Sequence, residues 1–340
     1  MIKIDGAMYE GGGAILRTAL TMSLITGSSF CINNIRANRT AKGLKKQHVA
    51  AIKLAADISK SKYAEVYKGS SYMEFIPGDI SSGKYGVDVG SAGSVSLIIQ
   101  SIFLPILLSQ KTVKLELIGG TDVSFSPTID YIKQVYIPRF SDYGICMLDI
   151  KRRGYFPEGK GIVNVHIKGK LLPENIALAK EKIVMIRVYV NASYDLMKSN
   201  IVEELERKLR LALGPFCGEY DVPLKFILAY SKAESSDFSV TIVGFCNNQF
   251  SLGRCGVGAE FKDADDLVFS VSRDFLDSLY NDMDLDEHAT NLFLPYLSIF
   301  GDTTYNAKIS SHSESIMYVC EKFLDSKVKL DKKNNEIINL

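Results

Sequence analysis

Two stretches near the N-terminus decide how the chain reads: Asp5–Arg17, DGAMYEGGGAILR, and Ile35–His48, IRANRTAKGLKKQH. In the first, Gly11, Gly12 and Gly13 run straight into an apolar helical pattern through Ile15, Leu16, Ala19, Leu20 and Leu24. A glycine turn that opens a helix exposes backbone N–H groups at the positive end of the helix dipole, which suits phosphate. Glu10, just before the glycines, offers the hard oxygen that a divalent cation takes. The second stretch carries Arg36, Arg39, Lys42, Lys45 and Lys46 with no acid among them, on a chain whose formal net charge is only +1. That concentration predicts a local anion site on a neutral background. The glycine run matches neither GxxxxGK[ST] nor GxGxxG.

Outward from these stretches, periodicity predicts a strand at Met1–Asp5, a helix at Gly11–Leu24, a strand at Phe30–Ile35 and a helix at Lys45–Ile58. Alternation in Tyr63–Tyr67 and Tyr72–Ile76 then predicts a hairpin. The same succession recurs as helix Val95–Leu108, strand Val113–Ile118, loop Gly119–Pro127, helix Ile129–Phe140 and strands Cys146–Arg152 and Ile162–Ile167. A third copy is expected near the C-terminus: helix Ala289–Ile299, turn Gly301–Asp302, strand Tyr305–Ile309, loop Ser310–His312 and helix Glu314–Asp325. Residues 181–281 have another rhythm, with strands at Ile183–Val190, Leu224–Tyr230 and Phe238–Phe245 and helices at Ser199–Leu213 and Glu260–Tyr280. The expected fold is therefore α/β (α+β): a large domain of three repeated units over 1–180 and 282–340, and a small α/β insert over 181–281. His312 then stands in the third unit where the basic loop stands in the first.

At 340 residues the chain is long enough for two domains or one large one. The longest apolar run, Val95–Leu108, is broken by Ser96, Gln100 and Ser101 and falls short of a membrane span. The alternating start, MIKID, shows no signal sequence, so a cytoplasmic protein without membrane partners is expected. Six scattered cysteines without a CxxC pair predict buried thiols. A pI of 7.5 argues against a protein that coats nucleic acid non-specifically, so any RNA contact should be local, at a chain end.

These stretches resemble the N-terminal signature of the RNA 3′-terminal phosphate cyclases. Further matches recur in order: DVGSAGSVSLIIQ from Asp88, GGTDVSFSPTIDY from Gly119, RRGYFPEGKG from Arg152 and EHATNLFLP from Glu287. The resemblance implies a large domain similar to the enolpyruvyl transferases. It also implies an ATP-dependent ligase that converts an RNA 3′-phosphate end into a 2′,3′-cyclic phosphate. His312, within KISSHSESIMYVCEKF, matches the family nucleophile and would form a covalent histidine–AMP intermediate. AMP would then pass to the RNA end and be expelled as the ring closes. Arg17, Arg36 and Arg39 would grip phosphates, while Glu10 would hold Mg²⁺ or Mn²⁺. Gln47, Gln100 and Asn291 would contact the nucleotide, with Pro127 and Tyr131 walling its base. His166 alternates with Val163 and Val165 and reads as structural, and His288 reads as a helix-start or site-rim residue.

The chain departs from the family pattern at Ala14, Lys42 and Thr290, the last replacing an acid associated with the nucleotide site. Those departures keep open a second reading, a cyclase-like RNA-binding or ribosome-assembly protein with reduced catalysis. A third, an enolpyruvyl-type transferase, is disfavoured because the matched motifs belong to the cyclases and three repeats are expected, not six. A homodimer is compatible with exposed strands in the insert.

Overall fold

The computed structural model describes residues 1–170, 181–247, 251–301 and 303–340. It is a mixed α/β protein. The first unit comprises β1 (Ile2–Asp5), α1 (Gly13–Thr26), β2 (Phe30–Asn33), α2 (Lys46–Ser59), β3 (Lys62–Ala64) and β4 (Met73–Ile76). Its sheet has the order β1-β2-β4-β3, with β1 parallel to β2 and the other pairs antiparallel. The next segment comprises β5 (Gly83–Asp88), α3 (Val95–Leu108), β6 (Thr112–Gly119), α4 (Ile129–Tyr131), β7 (Gly144–Arg152) and β8 (Gly161–Gly169). Its sheet order, β5-β6-β8-β7, keeps the same pattern of parallel and antiparallel pairs.

Then follow β9 (Ile183–Ser193), α5 (Ile201–Glu219), β10 (Leu224–Ser231), β11 (Phe238–Cys246), β12 (Ser251–Val257) and α6 (Ala264–Tyr280), with sheet order β10-β9-β11-β12. The chain closes with α7 (Glu287–Phe300), β13 (Tyr305–Asn306), α8 (Ser311–Phe323), β14 (Val328–Asp331) and β15 (Glu336–Asn339). Leu285 bridges Ala307 in parallel beside this last sheet.

Several elements differ from the sequence expectation. β5, β12, β14 and β15 were not anticipated: GKYGVD and SLGRCGV are glycine-rich, and VKLD and EIIN are short and charged, so none shows a strong period of two. The strand expected at Tyr305–Ile309 shrinks to Tyr305–Asn306, and α8 starts at Ser311 rather than Glu314. Ser310 caps that start, its N–H donating to Ser313 Oγ at 3.1 Å. Of the expected turn Gly301–Asp302, Asp302 lies outside the described residues, as does the expected boundary at 180.

The helix expected over Ile129–Phe140 is the instructive case. After α4 it widens into a π turn, Ile132–Tyr136, and then tightens into a 3₁₀ stretch, Ile137–Tyr143. Pro138 has no N–H to give Gln134 O, four residues back. The Ser251 hydroxyl donates to that carbonyl instead, at 3.0 Å. The same device recurs in α3, where Pro105 lies inside the helix and leaves Ser101 O without its usual donor. Thr21 Oγ1 of α1 approaches that carbonyl at 3.0 Å. It lies equally near Arg17 O at 3.0 Å, which already receives a helical N–H, so the hydroxyl proton is worth more at Ser101.

Around these helices the core is apolar and dense. Phe103, Tyr136, Phe140 and Phe293 form a ring cluster, with Phe140 stacked on Phe293 at 5.3 Å. The segment from β9 to α6 is fastened to this core by polar contacts. Thr128 and Thr241 hydroxyls lie 2.6 Å apart, Tyr155 O–H donates to Asn191 Oδ1 at 2.6 Å, and Arg139 Nη2 donates to Ser251 O at 2.7 Å. Arg153 of the RRGYFPEGKG stretch pairs with Asp122 at 3.0 Å and Asp130 at 2.7 Å. Five cysteines are buried, Cys146 is half-buried, and none forms a disulfide. Among the described residues no helix is long and apolar enough to cross a membrane.

The proline argument makes a quantitative prediction. Thr21→Val keeps the shape but strands Ser101 O, and should cost about 1–3 kcal/mol in urea unfolding. In a Pro105→Ala background, where the helix N–H returns, the same change should cost less than half as much. Equal costs in the two backgrounds would mean that the hydroxyl and the proline are unconnected.

Candidate active site

The glycine run is dictated by what presses on it. Gly12 caps α1 without a side chain, and a Cβ there would collide with Glu10 Oε1. A Cβ on Gly13 would lie 2.7 Å from His48 Nε2 and 2.9 Å from Arg17 Nη1. Site side chains therefore close directly over the helix start.

Glu10 is the point where these groups meet. Its side chain is only 8% exposed, with Arg39 Nη2 on Oε1 and His312 Nδ1 on Oε2. Burial pushes this carboxyl up, but the contacts with His312 and then Arg39 outweigh it and hold the group below its ordinary range. Glu10 is thus ionised at neutral pH. An ionised carboxylate only accepts, so Nδ1 is the ring atom of His312 turned to an acceptor, and Nε2 is the ring nitrogen turned away from it. His312 lies in the first turn of α8, with its side chain 43% exposed. Next to it, Ser313 Oγ donates to Asn291 Oδ1 at 2.7 Å, joining α8 to α7.

His312 opens into a cleft of about 280 Å³. Arg17, Gln100, Pro127 and Asn291 all stand on its wall. Arg17 Nε donates to Gln100 Oε1 at 3.1 Å. Burial lowers the Arg17 pKa to about 10, with Glu10 opposing the shift, so it remains cationic at neutral pH. The sequence reading missed Arg254, Glu260 and Glu287, which also line the cleft, and His288 stands on the wall with them. Arg254 reaches Glu287 at 3.6 Å and Asp274 at 3.0 Å. Glu287 was within reach of the sequence, since it opens the EHATNLFLP stretch. Arg254 was not, because β12 was itself unread.

Tyr131, expected beside the base, and Thr290, noted as a departure, both sit elsewhere. Tyr131 is fully buried, its O–H donating to Asp286 Oδ1 at 2.6 Å, so it is not a wall of this cleft. Thr290 is also fully buried, does not line the cleft, and its Oγ1 has no hydrogen-bond partner. Ala14, by contrast, does line it.

The basic loop divides its work. Arg36 is 7% exposed and turns inward, Nη1 donating to Ala41 O and, at 3.0 Å, to Gly43 O. It shapes the loop that carries the exposed lysines. Gln47 Oε1 accepts from Ser94 N–H at 3.1 Å, at the start of α3. His48 Nδ1 accepts from Lys45 N–H at 3.0 Å, half of a capping box whose other half Lys45, lacking a side-chain acceptor, cannot supply. Burial, followed by Arg17, Arg36 and Lys45, lowers the His48 pKa to about 3. Burial and Arg254 lower that of His288 to about 4. Both imidazoles are neutral at neutral pH.

No group of three or more His, Cys, Asp or Glu among the described residues could hold a metal. Glu10 is a lone carboxylate with Arg39 on one oxygen and His312 on the other, so a cation there would take the place of one of them and draw its remaining ligands from a bound phosphate and water.

The family model for RNA 3′-terminal phosphate cyclase matches residues 8–330. The RNA 3′-terminal phosphate cyclase of Methanococcoides burtonii is 35% identical, with 98% of both chains covered. Those of Methanosarcina barkeri and Saccharolobus islandicus are 31% and 34% identical, covering 98% of this chain and 97% of theirs.

The His48 assignment has a consequence for stability. Its folded pKa lies below the unfolded value of about 6.5, so its contribution is complete above about pH 6.5 and is lost as pH falls toward about 3. His48→Gln keeps an acceptor for Lys45 N–H without the titration. Urea unfolding at about pH 7 and about pH 5 should show the wild type losing more stability than the variant. His288 is common to both, so equal losses would contradict a neutral buried His48.

Proposed function

Because the chain belongs to the RNA 3′-terminal phosphate cyclase family, we propose that it uses ATP to convert an RNA 3′-phosphate end into a 2′,3′-cyclic phosphate, with His312 as nucleophile. The observation that carries this reading is the contact of His312 Nδ1 with the Glu10 carboxylate. It turns Nε2, the ring's other nitrogen, away from the carboxylate, in a residue that lines the same cleft as Arg17 and Gln100.

Nε2 attacks the α-phosphorus of ATP, the bond to pyrophosphate breaks, and AMP is left on His312 through a phosphorus–nitrogen bond. An oxygen of the RNA 3′-phosphate then attacks the same phosphorus and frees the histidine. The neighbouring ribose 2′-OH attacks the RNA phosphorus, loses its proton and expels AMP as the ring closes. Arg17 and Arg39 supply forked donors to the phosphate oxygens, and the uncapped N–H groups of α1 add to them. Glu10 would hold Mg²⁺ or Mn²⁺ against those oxygens, a charge that favours departure of pyrophosphate. Gln100, Pro127 and Asn291 bound the nucleotide, and Glu287, on the wall where Thr290 is not, is the acid available to it. The family match and the named relatives do not favour the reading of a cyclase-like protein with reduced catalysis. We further take residues 181–281 as an insert in a cytoplasmic protein whose larger part is three repeated units, similar to the enolpyruvyl transferases.

Incubation with α-labelled ATP and Mn²⁺, without RNA, should leave protein-bound label that acid releases and alkali does not. His312→Ala should abolish the label while the protein stays folded, since the side chain is 43% exposed. Undiminished labelling in the variant would remove His312 as nucleophile.

A further inference from the structure

Beside the His312 cleft lies a larger groove of about 790 Å³. Leu97 and Phe125 line both hollows, so the groove meets the cleft at these two side chains. Lys45, Lys46 and Lys68 stand on its walls and, among the described residues, no acid does. On a chain of net charge +1 that is a pronounced local excess. Burial, Arg36 and Arg39 hold the Lys45 pKa below its ordinary value, a strain that an incoming anion relieves.

The same groove carries two phenylalanine rings out in water: Phe125 is 92% exposed and Phe156 63%. An isolated exposed ring needs no explanation, but Phe125 also has φ +62°, a left-handed conformation that a bulky side chain rarely adopts. Glu260 Oε1 secures this turn by accepting from Phe125 N–H at 2.6 Å. The fold thus tolerates an unfavourable backbone in order to present an apolar ring to solvent at the edge of the cleft, where the ring adds nothing to the core. Ring faces interleaved with lysines are what a single-stranded nucleic acid requires: bases stack on the rings and phosphates meet the ammonium groups.

We propose that this groove holds the last nucleotides of the RNA strand, a placement that rests on the cyclase reading above. Phe125 and Phe156 stack against bases, and Lys45, Lys46 and Lys68 neutralise backbone phosphates, so that the terminal phosphate enters the cleft at His312. Stacking does not read base edges, so the groove accepts any base but requires the end to be unpaired.

The test uses the full-length protein and a fluorescent single-stranded oligoribonucleotide ending in a 3′-phosphate, with binding followed by anisotropy. Labelling by α-labelled ATP without RNA is measured in parallel. Phe156→Ala should weaken RNA binding by roughly 5- to 100-fold, the range for losing one base stack, and Phe156→Tyr should restore it. Lys68→Ala should lower the slope of log affinity against log salt by about 0.7. ATP labelling should be unchanged in all three variants. If the protein labels normally but binds RNA equally well in every variant, the groove assignment is wrong and the cyclase reading stands. If the wild type takes no label while Phe156→Ala and Lys68→Ala still lose RNA affinity, the groove stands and the cyclase reading fails. Failure of the wild type to bind the oligonucleotide, or equal affinity for an end locked in a duplex, also overturns the groove assignment.

Discussion

The carboxylate of Glu10 meets Arg39 on one oxygen and His312 on the other while its side chain is almost wholly out of solvent. A buried charge of this kind is tolerable only when paired, and removing one partner leaves the other in a low-dielectric site. The three residues come from a turn at the N-terminus, the basic loop and the first turn of the last helix, so the pairing requires the two ends of the chain to come together. It also fixes the local sequence. A Cβ on Gly12 would run into Glu10 and Arg39, and one on Gly13 into His48 and Arg17. The glycines are therefore a consequence of the carboxylate's surroundings as much as a cradle for a ligand.

Such a site needs rigid supports, and the prolines show how they are assembled. A proline inside a helix normally leaves a carbonyl to water. Here the carbonyls opposite Pro105 and Pro138 are met by hydroxyls from other segments, Thr21 on α1 and Ser251 on β12. Each irregularity thus becomes a point of attachment between elements. Asp286 does the same at the start of α7: it caps the helix, accepts from Tyr131 O–H and accepts from Gly253 N–H at 2.9 Å. Tyr131, expected at the ligand, is used for this fastening.

Much of the site was legible because it is written in local chemistry. Glycines before an apolar helix, a run of cations without acids and a histidine in a serine-rich turn are all contiguous signals. The long helices were legible for the same reason, their apolar stripes being strong. What stayed hidden depends on contacts between distant segments. Nothing near Arg36 in the chain says that its guanidinium turns inward to carbonyls of its own loop. Nor does anything near Arg254 say that a glycine-rich stretch becomes a strand beside the cleft. Thr290 could be aligned with a family acid by position, but only packing reveals that its side chain faces the interior.

Two imidazoles near the cleft add nothing to its charge at neutral pH. Of the imidazoles closest to it, His48 and His288 are held neutral by burial and by neighbouring cations, with pKa values lowered to about 3 and about 4. Positive charge is left to arginines and lysines, which keep it at neutral pH even where burial lowers the pKa of Arg17 to about 10. This arrangement separates two tasks that would otherwise conflict. Attraction for phosphate must persist at all times, whereas a nucleophilic imidazole must offer a lone pair, which a protonated ring lacks. Glu10 on Nδ1 of His312 gives the ring an acceptor at that nitrogen and leaves Nε2 as its other one. In the proposed reaction, attraction for the anion then falls to fixed charge, and attack falls to the imidazole that Glu10 touches.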